Sequence, residues 1–112
     1  MKIAIPCVNK KLSRHFGHCQ HFALIEADRQ AKQIVAAQML DAPEHEPGLL
    51  PRWLAEKGVN LVIAGGMGFR AQQIFEQNGI EVLAGVPVDE PEKIVSAWLQ
   101  DKLEVGVNTC DH

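Results

Sequence analysis

Tyrosine is absent from this chain of 112 residues, and aromatic residues of all kinds make up only 5% of it. A platform that stacks successive bases of single-stranded nucleic acid needs rings in number, so that activity is not expected. An excess of one charge is also lacking. Fourteen acids face eleven bases, for a net charge of −3, and no general attraction to phosphate backbones follows. Cysteine is scarce and odd in number, with three residues and no C-x-x-C pair. A disulfide framework is therefore not expected, and the thiols should be free or metal-bound in a cytoplasmic setting. No apolar run approaches the length of a membrane span. The opening stretch Met1–Pro6 is too short to serve as the apolar core of a secretory leader. Spaced carboxylate pairs for acid–base chemistry are missing too. His18 and Cys19 are chain neighbours, which seldom gives nucleophile–base geometry, and no third orienting group stands out. These absences point to a binding protein and not to an enzyme.

What is present suffices for one core, since 46% of the residues are hydrophobic and the length suits one domain. Residues 1–102 read as that domain and 103–112 as a flexible tail. Ile3–Val8 reads as a strand and residues 9–20 as a polar loop. His21–Glu26 and Gln33–Leu40 read as strands joined by the turn at Asp28–Gln30, hence a hairpin. Leu49, Leu50, Trp53 and Leu54 fall at helical spacing before Gly58, with Pro51 in the first turn. Leu61–Ala64 and Ile80–Ala84 are short continuous apolar runs, as parallel strands buried on both faces would be. Met67, Ala71, Ile74 and Phe75 mark a helix face between them. Ile94, Val95, Trp98 and Leu99 mark another after Pro91. A hairpin followed by βα units implies a mixed sheet between helical layers.

Ligand chemistry is concentrated in two places. Three of the five histidines and one cysteine lie in His15-Phe16-Gly17-His18-Cys19-Gln20-His21, and the chain ends Cys110-Asp111-His112. Imidazole and thiolate hold zinc, copper, iron and iron–sulfur clusters. Gly17 lets the loop curl so that His15, His18 and Cys19 could face one centre, although no fixed zinc spacing is met. His21 opens a strand, His45 lies in an acidic loop, and Cys7 reads as a small core thiol. The second place is Gly65-Gly66-Met67-Gly68 at a strand-to-helix junction. It is either a tight turn that needs glycine for geometry alone or an anion site made by its backbone and the next helix N-terminus, and Arg70 in the first turn faces either that anion or solvent. Gly66-x-Gly68-x-x-Ala71 also fits the loose dinucleotide fingerprint, but on a late βα unit. Lys10, Lys11 and Arg14 add positive charge before His15.

Ser13 to Phe22, then Ala64 to Ala71, Phe75, Gly79-Ile80 and Gly85, together resemble the dinitrogenase iron–molybdenum cofactor biosynthesis family. The resemblance spans about residues 3–100. It implies a three-layer α/β/α ribonuclease-H-like fold with a five-stranded mixed sheet. It also implies a cofactor carrier for an iron–sulfur or molybdenum-containing cluster, of the iron–molybdenum type in nitrogen fixation, with donor and acceptor proteins as partners. Carried over, Phe16, Gly17, Gly65, Gly66, Gly68 and Arg70 become cofactor-binding candidates. The flanking His15 and His18 become metal ligands, to which the loop reading above adds Cys19, and Cys110 and His112 look like a brief version of a Cys/His-rich tail. A monomer or weak homodimer is expected, with neither nucleic acid nor membrane as partner. Two other readings stay open: a zinc- or copper-binding regulatory or interaction module binding a single metal ion, and a phosphate or nucleotide enzyme built on the glycine turn.

Overall fold

A computed structural model describes residues 1–44 and 48–106. His45, Cys110 and His112 therefore lie outside the described residues. The elements are strands β1 (Lys2–Val8), β2 (Lys11–Leu12), β3 (His21–Asp28) and β4 (Gln33–Asp41), helix α1 (Leu49–Glu56), β5 (Leu61–Ile63), α2 (Phe69–Gln77), β6 (Glu81–Leu83) and α3 (Pro91–Leu99). A short 3₁₀ turn spans Phe16–His18. The strand order is β4-β3-β1-β5-β6, with the small β2 added beside β1. β1, β5 and β6 run parallel, while β3 runs against β1 and β4 against β3. The sheet is mixed, as expected, and its main path has the expected five strands.

Strand periodicity divides the core between two faces. Ile3, Ile5 and Cys7 of β1, with Ala23, Ile25 and Ala27 of β3, pack under Ile94, Val95 and Leu99 of α3. Ala4 of β1, with Phe22 and Leu24 of β3, packs under Leu50 and Leu54 of α1 and Phe75 of α2. Three layers result, with α1 and α2 on one face and α3 on the other. Glycines with positive φ end α1 at Gly58 and α2 at Gly79, as their positions suggest. β4 is different, because most of its residues are exposed on both faces.

Two departures from expectation are local. The loop expected over residues 9–20 contains β2. Asn9 and Lys10 both take positive φ, 55° and 66°, which closes a two-residue hairpin and returns Lys11 and Leu12 to pair with Val8 and Cys7. Met67 is buried but precedes α2, which starts only at Phe69. Residues 103–106 are placed against the domain: Leu103 packs on the α3 core, and the Gly106 N–H donates to the Gly85 carbonyl at 2.7 Å.

The parallel contact between β1 and β5 is brief. Only Ile3↔Leu61 and Ala4↔Val62 are paired, and β2 then takes the place beside β1. The sheet forks at its carboxyl edge.

Phe22 is fully buried beneath α1. Phe22→Ala should cost about 3–5 kcal/mol of unfolding free energy, measured by urea denaturation.

Candidate functional site

The parallel strands β1, β5 and β6 end on one edge of the sheet. Register places the start of β3 there as well, since His21 lies opposite Cys7 on one side and Asp41 on the other. The chain leaving β1 folds back through β2, and the Ser13 N–H donates to the Pro6 carbonyl at 2.7 Å. It then runs beside the chain leaving β5. The Gly66 N–H donates to the Arg14 carbonyl at 2.7 Å, and the Phe16 N–H donates to the Gly66 carbonyl at 2.8 Å. His15 and Gly66 thus form an isolated parallel bridge. The histidine loop and the glycine turn, distant in sequence, are side by side.

This approach is so close that it requires glycine. A Cβ on Gly65 would lie 2.8 Å from the carbonyl oxygens of both Arg14 and Ser13, and 3.1 Å from a Leu12 methyl. The backbone continues outward in the same manner. Gly85 donates its N–H to the Gly65 carbonyl at 2.8 Å, and Gly106 donates to Gly85. Arg14, Gly65, Gly66, Gly85, Val86 to Val88 and Gly106 line an open cleft of about 420 Å³. Gly106 is the residue that the sequence did not mark for this edge.

Within the loop, the buried Ser13 hydroxyl donates to the His15 carbonyl at 2.6 Å. The next turn is 3₁₀, with the His18 N–H donating to the His15 carbonyl and the Cys19 N–H to the Phe16 carbonyl. Phe16 is half-buried and pegs the loop. Its ring meets Phe75 edge-on at 5.5 Å and Phe22 at 6.4 Å between centroids. With the peg inward, His18 and Gly17 are exposed and His15 is half-exposed. The imidazoles of His15 and His18 are 5.6 Å apart, at 69° to one another. Metal–nitrogen bonds of about 2.0–2.1 Å would place two imidazoles on one metal at much this spacing.

Cys19 is placed otherwise. It is 5% exposed and packs with Phe22, Leu50 and Phe75. Cys7 is fully buried on the opposite face, donating its thiol to the Ile5 carbonyl at 3.2 Å. Burial pushes both thiols up to about 11 from an ordinary 9.0, so the neutral thiol is the form that fits here. His21 pairs its Nδ1 with Asp41 Oδ1 at 2.9 Å. Among the described residues, no three of His, Cys, Asp and Glu converge as a metal cage.

The glycine turn offers fewer free amides than its sequence suggests, because the Gly66 N–H is spent on Arg14. The start of α2 remains. Gly68 caps it with extended backbone and no side-chain bond, so its first amides keep their positive end for an anion. Gly68 is half-exposed, and Arg70 and Arg14 are exposed on this edge.

The family model described as dinitrogenase iron-molybdenum cofactor matches residues 1–101. The chain belongs to that family. It is 32% identical over 109 residues to the uncharacterized protein MJ0580 of Methanocaldococcus jannaschii, covering 93% of this chain and 90% of that one. The crystal structure of PH0822 superimposes with a TM-score of 0.85 at 27% identity, over 94% of each chain. The apo orange protein of Desulfovibrio gigas shares the fold, with a TM-score of 0.69 at 20% identity, over 96% of this chain and 93% of the other. These likenesses match the architecture expected from the sequence.

Two measurements test the local account. Gly65→Ala should lower stability by about 1–3 kcal/mol through overpacking. Gly17→Ala, where a Cβ meets nothing within 4 Å, should stay within about 0.5 kcal/mol of the parent. Denaturant titrations of both variants decide this. The second test concerns the thiols. The unfolded chain ionises them near 9.0 and the folded chain only near 11. Between those values the unfolded state holds fewer protons, so their contribution, complete below pH 9, falls as pH rises. Thermal melts across this range should show a shallower alkaline decline in the Cys7→Ala/Cys19→Ala double variant than in the parent.

Proposed function

We propose that this protein is a small cytoplasmic carrier that holds an anionic metallocluster, iron–sulfur or molybdenum-containing, as cargo during metallocofactor assembly. It binds and releases that cargo between donor and acceptor proteins and does not itself catalyse a reaction. The observation that carries this reading is the backbone bridge from His15 to Gly66. It sets the histidine loop, whose two imidazole centroids are 5.6 Å apart, beside the glycine turn, and Gly65 and Gly66 of that turn line an open cleft with Arg14. Imidazoles suit direct ligation, and arginine suits the cluster's negative charge.

The residues take different parts in this reading. His15 and His18 bind metal. Arg14, Arg70 and the α2 N-terminus, presented by Gly68, balance charge. Gly65 and Gly66 allow the close approach, and Gly17 leaves the loop open. Phe16 supports the loop from beneath, and Cys19 serves as packing under it. Further ligands come from the tail. Gly106 is fixed on this edge by its bond to Gly85. Cys110 and His112 follow Gly106 by four and six residues, and Gly106 lines the same cleft as Arg14, the neighbour of His15. A site that lacks a closed cage suits cargo that must leave again. The dinitrogenase cofactor family supports a cluster over a lone metal ion.

The test is anaerobic loading with an iron–sulfur or molybdenum-containing cluster, followed by metal and acid-labile sulfide analysis and an absorption spectrum. His15→Ala/His18→Ala should lose most of the uptake at an unchanged melting temperature. Removal of residues 109–112 should weaken uptake and leave melting of the unloaded protein unaltered. Metal without sulfide would point to a single-ion module. Uptake equal to the parent's in the histidine variant would overturn the site.

A further inference from the structure

We propose that the outer edge of β4 pairs with the same edge of a second copy, antiparallel about a two-fold axis at Ala37, to give a homodimer with one continuous sheet. This inference does not rest on the carrier reading.

β4 is the first strand in the order β4-β3-β1-β5-β6 and is nine residues long. Among the described residues, no strand pairs with its outer side. Which groups it presents follows from one hydrogen bond. The Ala42 N–H donates to the Gln20 carbonyl, directly across the ladder, at 3.0 Å. In an antiparallel ladder such bonded pairs alternate with non-bonded ones. Leu40, Gln38 and Ala36 therefore turn their amides inward to β3. Asp41, Met39 and Ala37 turn theirs to the open edge.

Natural edges are usually blunted by charge or proline. From Gln33 to Leu40 there is neither. Instead, two of the large hydrophobic side chains most exposed to solvent lie here, Val35 at 65% and Met39 at 44%. The only device against pairing is a bulge. Ala27 faces Ile34 while Glu26 faces Ala36, which leaves Val35 as the extra residue. Beyond it, Ala36–Asp41 pair with β3 in unbroken register.

The strand is complementary to itself in one register. With Ala37 opposite its own copy, Ala36 faces Gln38. Met39 faces the bulged Ile34 and Val35 of the second copy, so apolar meets apolar. The bulge uses up one residue, which brings Lys32, the last turn residue before β4 with φ 56°, to the place opposite Asp41 of the second copy, whose carboxylate also meets His21 of its own chain. By symmetry this opposite-charge pair occurs at both ends. Charge is matched at the two ends and absent between them, as pairing with an identical strand requires. The amides of Ala37 and Met39 would be satisfied by the same contact. Because the partner strand runs the other way, the two carboxyl edges point in opposite directions and both clefts stay open. Pairing through one strand edge is a small interface, so the dimer should dissociate on dilution.

Sedimentation velocity on the full chain across the micromolar range tests this. The mass should rise with concentration from 12.4 kDa toward twice that value. Ala37→Pro removes only an outward N–H and leaves the β3 ladder intact, and it should abolish the dimer with little change in melting. Lys32→Glu should weaken association about tenfold, and so should Asp41→Lys. The double exchange should restore it. A parent that stays monomeric throughout would overturn the proposal. So would a dimer untouched by Ala37→Pro, or single losses that the double exchange does not repair.

Discussion

Two stretches of backbone meet at Gly65 with no room for a methyl group between them, and the carboxyl edge of the sheet is organised around that contact. Ser13 and Arg14 present their carbonyls to one side of the glycine, and Gly66 exchanges hydrogen bonds with Arg14 and Phe16. A single such bond contributes only about 0.5–1.5 kcal/mol net. Left unmade in a buried place, the same groups cost more, about 1–3 kcal/mol each. Gly65 and Gly66 are both buried, so the pair of bonds forms together or the loop does not seat. Phe16 then completes the seating by meeting Phe22 and Phe75. The order of cause runs from a missing Cβ, to a backbone bridge, to a ring in the core, to two imidazoles on the surface.

That chain of causes also separates the polar groups by task. Cys7 and Cys19 sit in apolar layers on either face of the sheet, where ionisation is disfavoured. His15, His18 and Arg14 stay where water and solutes reach them. Under the carrier reading this is a sensible division, because the two imidazoles in an open loop hold cargo that can still be handed on, while these two thiols serve the core.

Regular elements were legible because their patterns repeat. The hairpin of β3 and β4, the three helix faces and the two short buried strands all stand out by period and length, and the HFG and GGMG segments carried the family. Local exceptions did not repeat and so were not legible. Lys10 at positive φ is unusual for a residue with a long side chain, which hid β2 inside a loop. Cys19 looked like a ligand because it neighbours His18. The 3₁₀ turn, however, points successive side chains in different directions, and the thiol goes inward. Arg14 beside the glycine turn was readable as charge, but its carbonyl bonding to Gly66 was not, since backbone pairing between distant loops leaves no mark on residue type. Gly106 escaped for the same reason.

The fork in the sheet has one more consequence. From β1 the chain turns to one side to lay down β3 and β4, then crosses to the other side for β5 and β6. A crevice at such a reversal is where open α/β sheets receive ligands. Its position is therefore inherited from connectivity and not from any individual side chain. Arg14, Gly65 and Gly66 line the cleft at the place that connectivity gives it. Under the carrier reading the scaffold separates address from content: changes in these two loops would alter what is bound, while strand order would preserve where.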